Sequence, residues 1–104
     1  MEFFRWDDDL AQPLEGSLRV TYLPVRIDDR NRATVINLGP NGDTRRRQVE
    51  VNVLLTVVSG SGELRCGPNV SEIRAGDVIF IEAGDDHAIW TSDSPMRIIV
   101  QALT

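Results

Sequence analysis

A chain of 104 residues with eleven arginines, no lysine, sixteen acidic side chains and a formal charge of −5 has the length of one domain. It lacks the basic face that a general nucleic-acid binder needs to displace counterions. It also has no run of about 18 apolar residues, so no membrane-spanning helix is expected. Its start, Met1-Glu2-Phe3-Phe4-Arg5-Trp6, does not resemble a secretory leader. With Cys66 as the only cysteine, no intrachain disulfide can form, which fits a reducing compartment. The expectation is a cytoplasmic protein with neither nucleic-acid nor membrane partners.

Residues 1–15 read as an N-terminal extension. Phe3, Phe4 and Trp6 are too apolar to stand together in water, so they are expected to pack on the rest of the chain or on a partner subunit. Residues 7–14 are the best helix candidate, stopped by Pro13. From residue 16 onward the chain reads as extended segments between turns. Residues 18–23 alternate in polarity, and 33–38 are rich in β-branched side chains. Gly39-Pro40-Asn41-Gly42-Asp43 is a turn signal. A long extended stretch then covers 46–59, and Gly60-Ser61-Gly62 turns the chain into 63–66. Further strands are expected at 70–73, 77–81, 87–90 and 96–102, separated by Gly67-Pro68-Asn69, Ala75-Gly76, Ala83-Gly84-Asp85-Asp86 and Ser92-Asp93-Ser94-Pro95. About eight short strands at this spacing predict an all-β sandwich or barrel.

The stretch 47–57 shows two faces, because side chains alternate across a strand. Arg47, Val49, Val51, Val53, Leu55 and Val57 share one side, which is therefore the interior. The other side is polar at Gln48, Glu50 and Asn52, then apolar at Leu54 and Val58. An apolar patch outside a small barrel often becomes a subunit interface, so a homodimer is expected.

The segment Gly76 to Thr91 resembles the second motif of the cupin superfamily, G-(x)5-P-x-G-(x)2-H-(x)3-N. Gly76, Gly84 and His87 match in register, while Glu82 stands for the proline and Thr91 for the asparagine. Val57-Val58-Ser59-Gly60-Ser61-Gly62-Glu63 is similar to the end of the first motif. The resemblance covers residues 16–104 and implies a cupin-like jelly roll, a double-stranded β-helix barrel. It also implies where a metal would be held. In that register the two histidines of the first motif fall at Arg47 and Val49, and the acidic or amide ligand at Val53. His87 is the only histidine in the chain. A transition metal needs about three or four N, O or S ligands, so no metal and no other cofactor is expected.

The resulting pocket has apolar walls, Val49, Val51, Val53, Leu55 and Ile89, and two polar groups at one level, Arg47 and His87. Ligand sites are mostly apolar with a few placed polar groups. Arg47 suits a carboxylate or similar anion, and His87 suits proton exchange. Three readings follow. In the first, the barrel binds a small organic ligand, possibly anionic, through Arg47, Val49, Val53, Leu55, His87 and Ile89. In the second, it is a metal-free isomerase, epimerase or cyclase with His87 as general acid or base. In the third, its own side chains fill the barrel. Cys66 reads as a small half-buried apolar residue, and Trp90, one step out of parity with His87, is expected to face away from the pocket.

Overall fold

The computed structural model describes residues 1–103 and forms nine strands with no helix among them: β1 (Gln12–Pro13), β2 (Leu18–Ile27), β3 (Arg32–Asp43), β4 (Arg47–Gln48), β5 (Val53–Cys66), β6 (Asn69–Arg74), β7 (Val78–Ile81), β8 (Asp86–Trp90) and β9 (Met96–Ala102). All pairings are antiparallel. β3 joins β9, β9 joins β5, β5 joins β8, and β8 returns to β3 at Asp43–Trp90, which closes a barrel. The fold is therefore an all-β jelly roll.

β5 pairs with four other strands, β6, β7, β8 and β9. Its first part pairs with β9 and β7, and its second part with β6 and β8. The change of partners occurs at Gly60. The register slips between Val57 and Ser59, and Gly60 has a φ of 78°, where a Cβ would lie 2.1 Å from the Pro95 carbonyl oxygen. Only glycine permits both that backbone and that approach. The sequence Gly60-Ser61-Gly62 is thus a corner inside one long strand, not the turn expected between two.

Gly39 to Asp43 is also corrected. These residues belong to β3, but four of them, 39–42, lie opposite the single Arg19 of β2, with Val20 opposite Leu38 and Leu18 opposite Asp43. The excursion is held by Thr91, just after β8. Thr91 Oγ1 donates to the Gly39 carbonyl at 2.6 Å and accepts the Gly42 N–H at 2.9 Å. A buried hydroxyl here replaces the ladder bonds that the bulge loses.

The expected stretch 46–59 is interrupted between β4 and β5. Residues 49–52 turn their backbone to the 82–85 turn: the Val49 carbonyl accepts the Gly84 N–H at 2.7 Å, and Asn52 Oδ1 accepts the Ala83 N–H at 2.9 Å. The helix expected at 7–14 is absent. Asp7 instead caps a tight turn, its carbonyl accepting the Leu10 and Ala11 N–H groups, and the chain then pairs as β1 on β2. The segment before it makes two contacts with the barrel: Glu2 pairs with Arg26, and the Arg97 guanidinium stacks on Trp6, 4.7 Å from the ring centroid; Phe3, 90% exposed, and Phe4, also exposed, do not join Trp6 there as expected. Among the described residues no helix is long and apolar enough to cross a membrane.

The alternation of 53, 55 and 57 appears as expected. Val53, Leu55 and Val57 are buried and pack with Val20, Leu38 and Ile98. On the outside Val58 is exposed, as are Val78 and Phe80 of β7.

Candidate functional site

The barrel is not filled by its own side chains. A cavity of about 380 Å³ opens at the β4 end, and Arg47, Val49, Val53, Leu55, His87 and Ile89 all line it. Val51 does not; it packs against the core beside it. Trp90 is also absent from the lining, in keeping with its opposite parity.

Pairing explains why these side chains meet. Arg47 lies directly opposite His87 in the β4–β8 ladder, and Cys66 lies opposite His87 on the other side, in β5. Directly opposed residues point to the same face, so these three side chains form a row across three strands. Ile89, two residues beyond His87, faces the same way and pairs with Leu64.

His87 is 93% buried, its exposure being 7%. Its Nδ1 is buried and makes no hydrogen bond among the described residues. Burial pushes its pKa below the usual value; a backbone contact to Asp85 opposes this in part, and the positive charge of Arg47 adds to the lowering. The ring is therefore neutral near pH 7, with one nitrogen as donor and the other as acceptor. A buried polar nitrogen without a partner costs stability; the cavity is lined by the His87 residue as a whole.

Arg47 is less free than its sequence position suggests. Its Nε donates to the Thr44 carbonyl at 3.1 Å, and its Nη2 donates to the Glu15 carbonyl. It straps the 14–17 turn to the barrel mouth. Thr44 is itself fixed, since its N–H and Oγ1 bond the Ile89 backbone at 2.9 and 3.0 Å. Beside it Arg46, exposed, pairs with Asp86 at 2.8 Å.

The sequence reading missed several cavity residues. Leu14 reaches it from the extension, held there by the Glu15–Arg47 bond, and nothing in its own pattern signals that. Ile36 and Ile98 form a cross-strand pair on the inner face of β3 and β9. Their alternation was visible, but which two strands would be neighbours was not. Arg46, Gln48 and Thr44 add polar groups at the mouth.

Cys66 is half-buried. Burial, and then the Asp85 carboxylate 3.8 Å away, push its thiol pKa up. It is thus a poor nucleophile at neutral pH.

The residues do not fit a metal. Of the four positions the cupin register assigns, one holds a histidine. Arg47 brings a fixed positive charge, and Val49 and Val53 have no donor atom. No group of three or more His, Cys, Asp or Glu side chains converges among the described residues.

A sequence model of the family described as Cupin domain matches residues 34–101. No curated protein matches the chain. Solved structures do. A Cupin 2 conserved barrel domain protein from Salinispora arenicola superposes with a TM-score of 0.85 at 14% identity, covering 100% of this chain and 89% of that one. The polyketide cyclase RemF from Streptomyces resistomycificus gives 0.81 at 23% identity, covering 97% and 79%. A cupin-2 domain, Rru_A2000 from Rhodospirillum rubrum, gives 0.80 at 17%, covering 99% and 75%. At these identities the likeness is one of fold.

Proposed function

The chain belongs to the cupin family, and we propose that it binds a small organic molecule with an apolar body in the barrel cavity, without a metal. One observation carries this reading: a cavity of about 380 Å³ with largely apolar walls, in which His87 is one of the few polar lining residues. The apolar body lies against Val49, Val53, Leu55 and Ile89, and a hydroxyl or carbonyl of the ligand bonds the His87 ring. Burying that apolar surface contributes roughly 25 cal/mol per Å².

N-phenyl-1-naphthylamine, a neutral fluorescent probe, tests the cavity. Its emission should rise on binding, and Val49→Trp, which fills the mouth, should abolish the rise. A probe that fails to bind, or binds equally to the Val49→Trp protein, overturns the reading.

The neutral His87 ring in the cavity lining supports an enzymatic form of this function. A neutral imidazole with a free acceptor is a competent general base, and Arg47 beside it favours a developing negative charge. A structural neighbour described as a polyketide cyclase suggests ring closure as the reaction class. In that case His87→Ala abolishes turnover while binding persists. In a binding module it lowers affinity and changes nothing else.

A further inference from the structure

The cavity's charges are one-sided. Its lining contains two guanidinium groups, Arg46 and Arg47, and no carboxylate, although the chain carries a net charge of −5. The two arginines are not equivalent. Arg47 is held by the Thr44 and Glu15 carbonyls. Arg46 has a single partner among the described residues, the Asp86 carboxylate, through Oδ2 at 2.8 Å, and its side chain is 67% exposed. With Arg47 and Gln48 it also lines a second, adjoining recess of about 360 Å³.

Asp86 is the residue before His87, so it faces the other side of β8 and lies opposite Gln48 in the ladder. It does not line the cavity. The pair therefore reaches from a cation at the cavity mouth to a carboxylate outside it. Arg46 holds Asp86 below the usual carboxylate range, with Gln48 and Arg65 adding to the effect. Asp86 is thus charged at neutral pH. Arg65 bonds the Gly67 carbonyl at 3.2 Å and remains near Asp86 as a second positive charge when Arg46 leaves.

We propose that Arg46 is the anion-selecting residue of this cavity and that Asp86 is its internal counterion, displaced when a ligand with an anionic group enters. This rests on the cavity being a ligand site, and it adds the charge class: an apolar body with one acidic group directed to the mouth. The pair is exposed on the Arg46 side and half-buried on the Asp86 side, where Oδ1 is buried without a partner among the described residues, so releasing Arg46 carries a cost that the ligand anion must offset. A ligand anion already anchored by its apolar body meets Arg46 at high effective concentration. Asp86 then acts as a built-in competitor that lowers affinity for anions and leaves neutral ligands untouched.

Two probes with the same aromatic body separate the terms: 8-anilinonaphthalene-1-sulfonate carries a sulfonate, and N-phenyl-1-naphthylamine carries none. Arg46→Ala should weaken sulfonate binding roughly three- to tenfold and leave the neutral probe unchanged. Asp86→Asn should tighten sulfonate binding roughly two- to fivefold, again without effect on the neutral probe. In the double variant the Asp86 effect should vanish. Thermal melts of each variant show that the fold is kept, and Asp86→Ser repeats the test if the asparagine variant melts early. A sulfonate affinity indifferent to Arg46, or lowered by Asp86→Asn, overturns the exchange even where the neutral probe binds normally. If the neutral probe fails as well, the cavity reading itself falls and takes this inference with it.

Discussion

Arg47 and His87 are direct partners across the β4–β8 ladder, and both line one cavity. The pairing brings a fixed positive charge beside an imidazole that is more than nine-tenths buried. Both burial and that charge disfavour the imidazolium, so the site keeps its histidine neutral.

This gives a pH dependence with a definite sign. The pKa of His87 is lower in the folded chain than in the unfolded one, so between the two values the unfolded state binds more protons. The contribution is fully present above the unfolded value of about 6.5. It is lost as pH falls from there toward the folded value, with a slope of at most about 1.4 kcal/mol per pH unit. Urea unfolding from pH 8 to 5 should show this loss in the wild type and not in His87→Phe. Equal slopes in both proteins would place the ring in contact with water.

Gly60→Ala should be among the most damaging single changes. The positive φ alone costs about 1 kcal/mol, and the new methyl group would press on the Pro95 carbonyl, which is backbone and cannot turn aside. A loss above about 2 kcal/mol is expected. It would be measured by denaturant titration, with Gly67→Ala as a milder control. That glycine also has a positive φ, but open space surrounds its missing side chain.

Strand periodicity made the interior legible. Val53, Leu55 and Val57 are buried as alternation required, and the resemblance of Gly76, Gly84 and His87 to the second cupin motif implied a histidine on the inner face. The corners were not legible in the same way. Gly60-Ser61-Gly62 and Gly39 to Asp43 carry turn-forming residues, yet both are bulges inside long strands. Glycine signals an unusual φ, and the partner strand decides whether the chain then reverses or continues. The engagement of Arg47 was hidden for a related reason. Its acceptors, the Thr44 and Glu15 carbonyls, are backbone atoms, and backbone acceptors leave no mark in a sequence.

No tight transition-metal site is expected. One imidazole beside a guanidinium and two valines cannot replace a metal's water shell. Tag-free protein analysed by atomic emission should carry far less than one equivalent of zinc, iron, nickel, manganese or copper. Near-stoichiometric metal that disappears in His87→Ala would overturn this.

We propose a homodimer formed through the outer apolar face. Val58, Val78 and Phe80 are exposed there, at 48%, 60% and 52%, and two of them lie on β7, which pairs on one side only, with β5. Edge strands with apolar side chains are a liability unless something covers them. Light scattering at micromolar concentration should give twice the 11.6 kDa chain mass, and Phe80→Glu should return the monomer. A monomer from the unmodified chain would refute it.

The last prediction separates the two neighbouring arginines. Arg47 serves first as a strap, because its guanidinium satisfies two backbone carbonyls from segments 29 residues apart, Glu15 and Thr44. Arg47→Ala removes both bonds and frees the turn that presents Leu14 to the cavity. Charge-assisted hydrogen bonds contribute about 1.5–3 kcal/mol each when buried and less at a wet mouth, so a loss of about 1–3 kcal/mol in unfolding free energy is expected. Binding should weaken for neutral and anionic probes alike, because the damage is to the apolar wall as well as to the charge. Arg46→Ala should show a different pattern: a smaller loss of stability, from leaving the half-buried Asp86 carboxylate without its cation, and a binding penalty confined to anions. Hydrogen exchange supplies the independent check. In Arg47→Ala the Leu14 and Ser17 amides, bonded to the Val20 and Leu14 carbonyls, should exchange faster, while those of β5 stay protected. Unchanged exchange at Leu14 and Ser17, with binding lost only for the anionic probe, would make Arg47 a ligand anchor and remove its role as a strap.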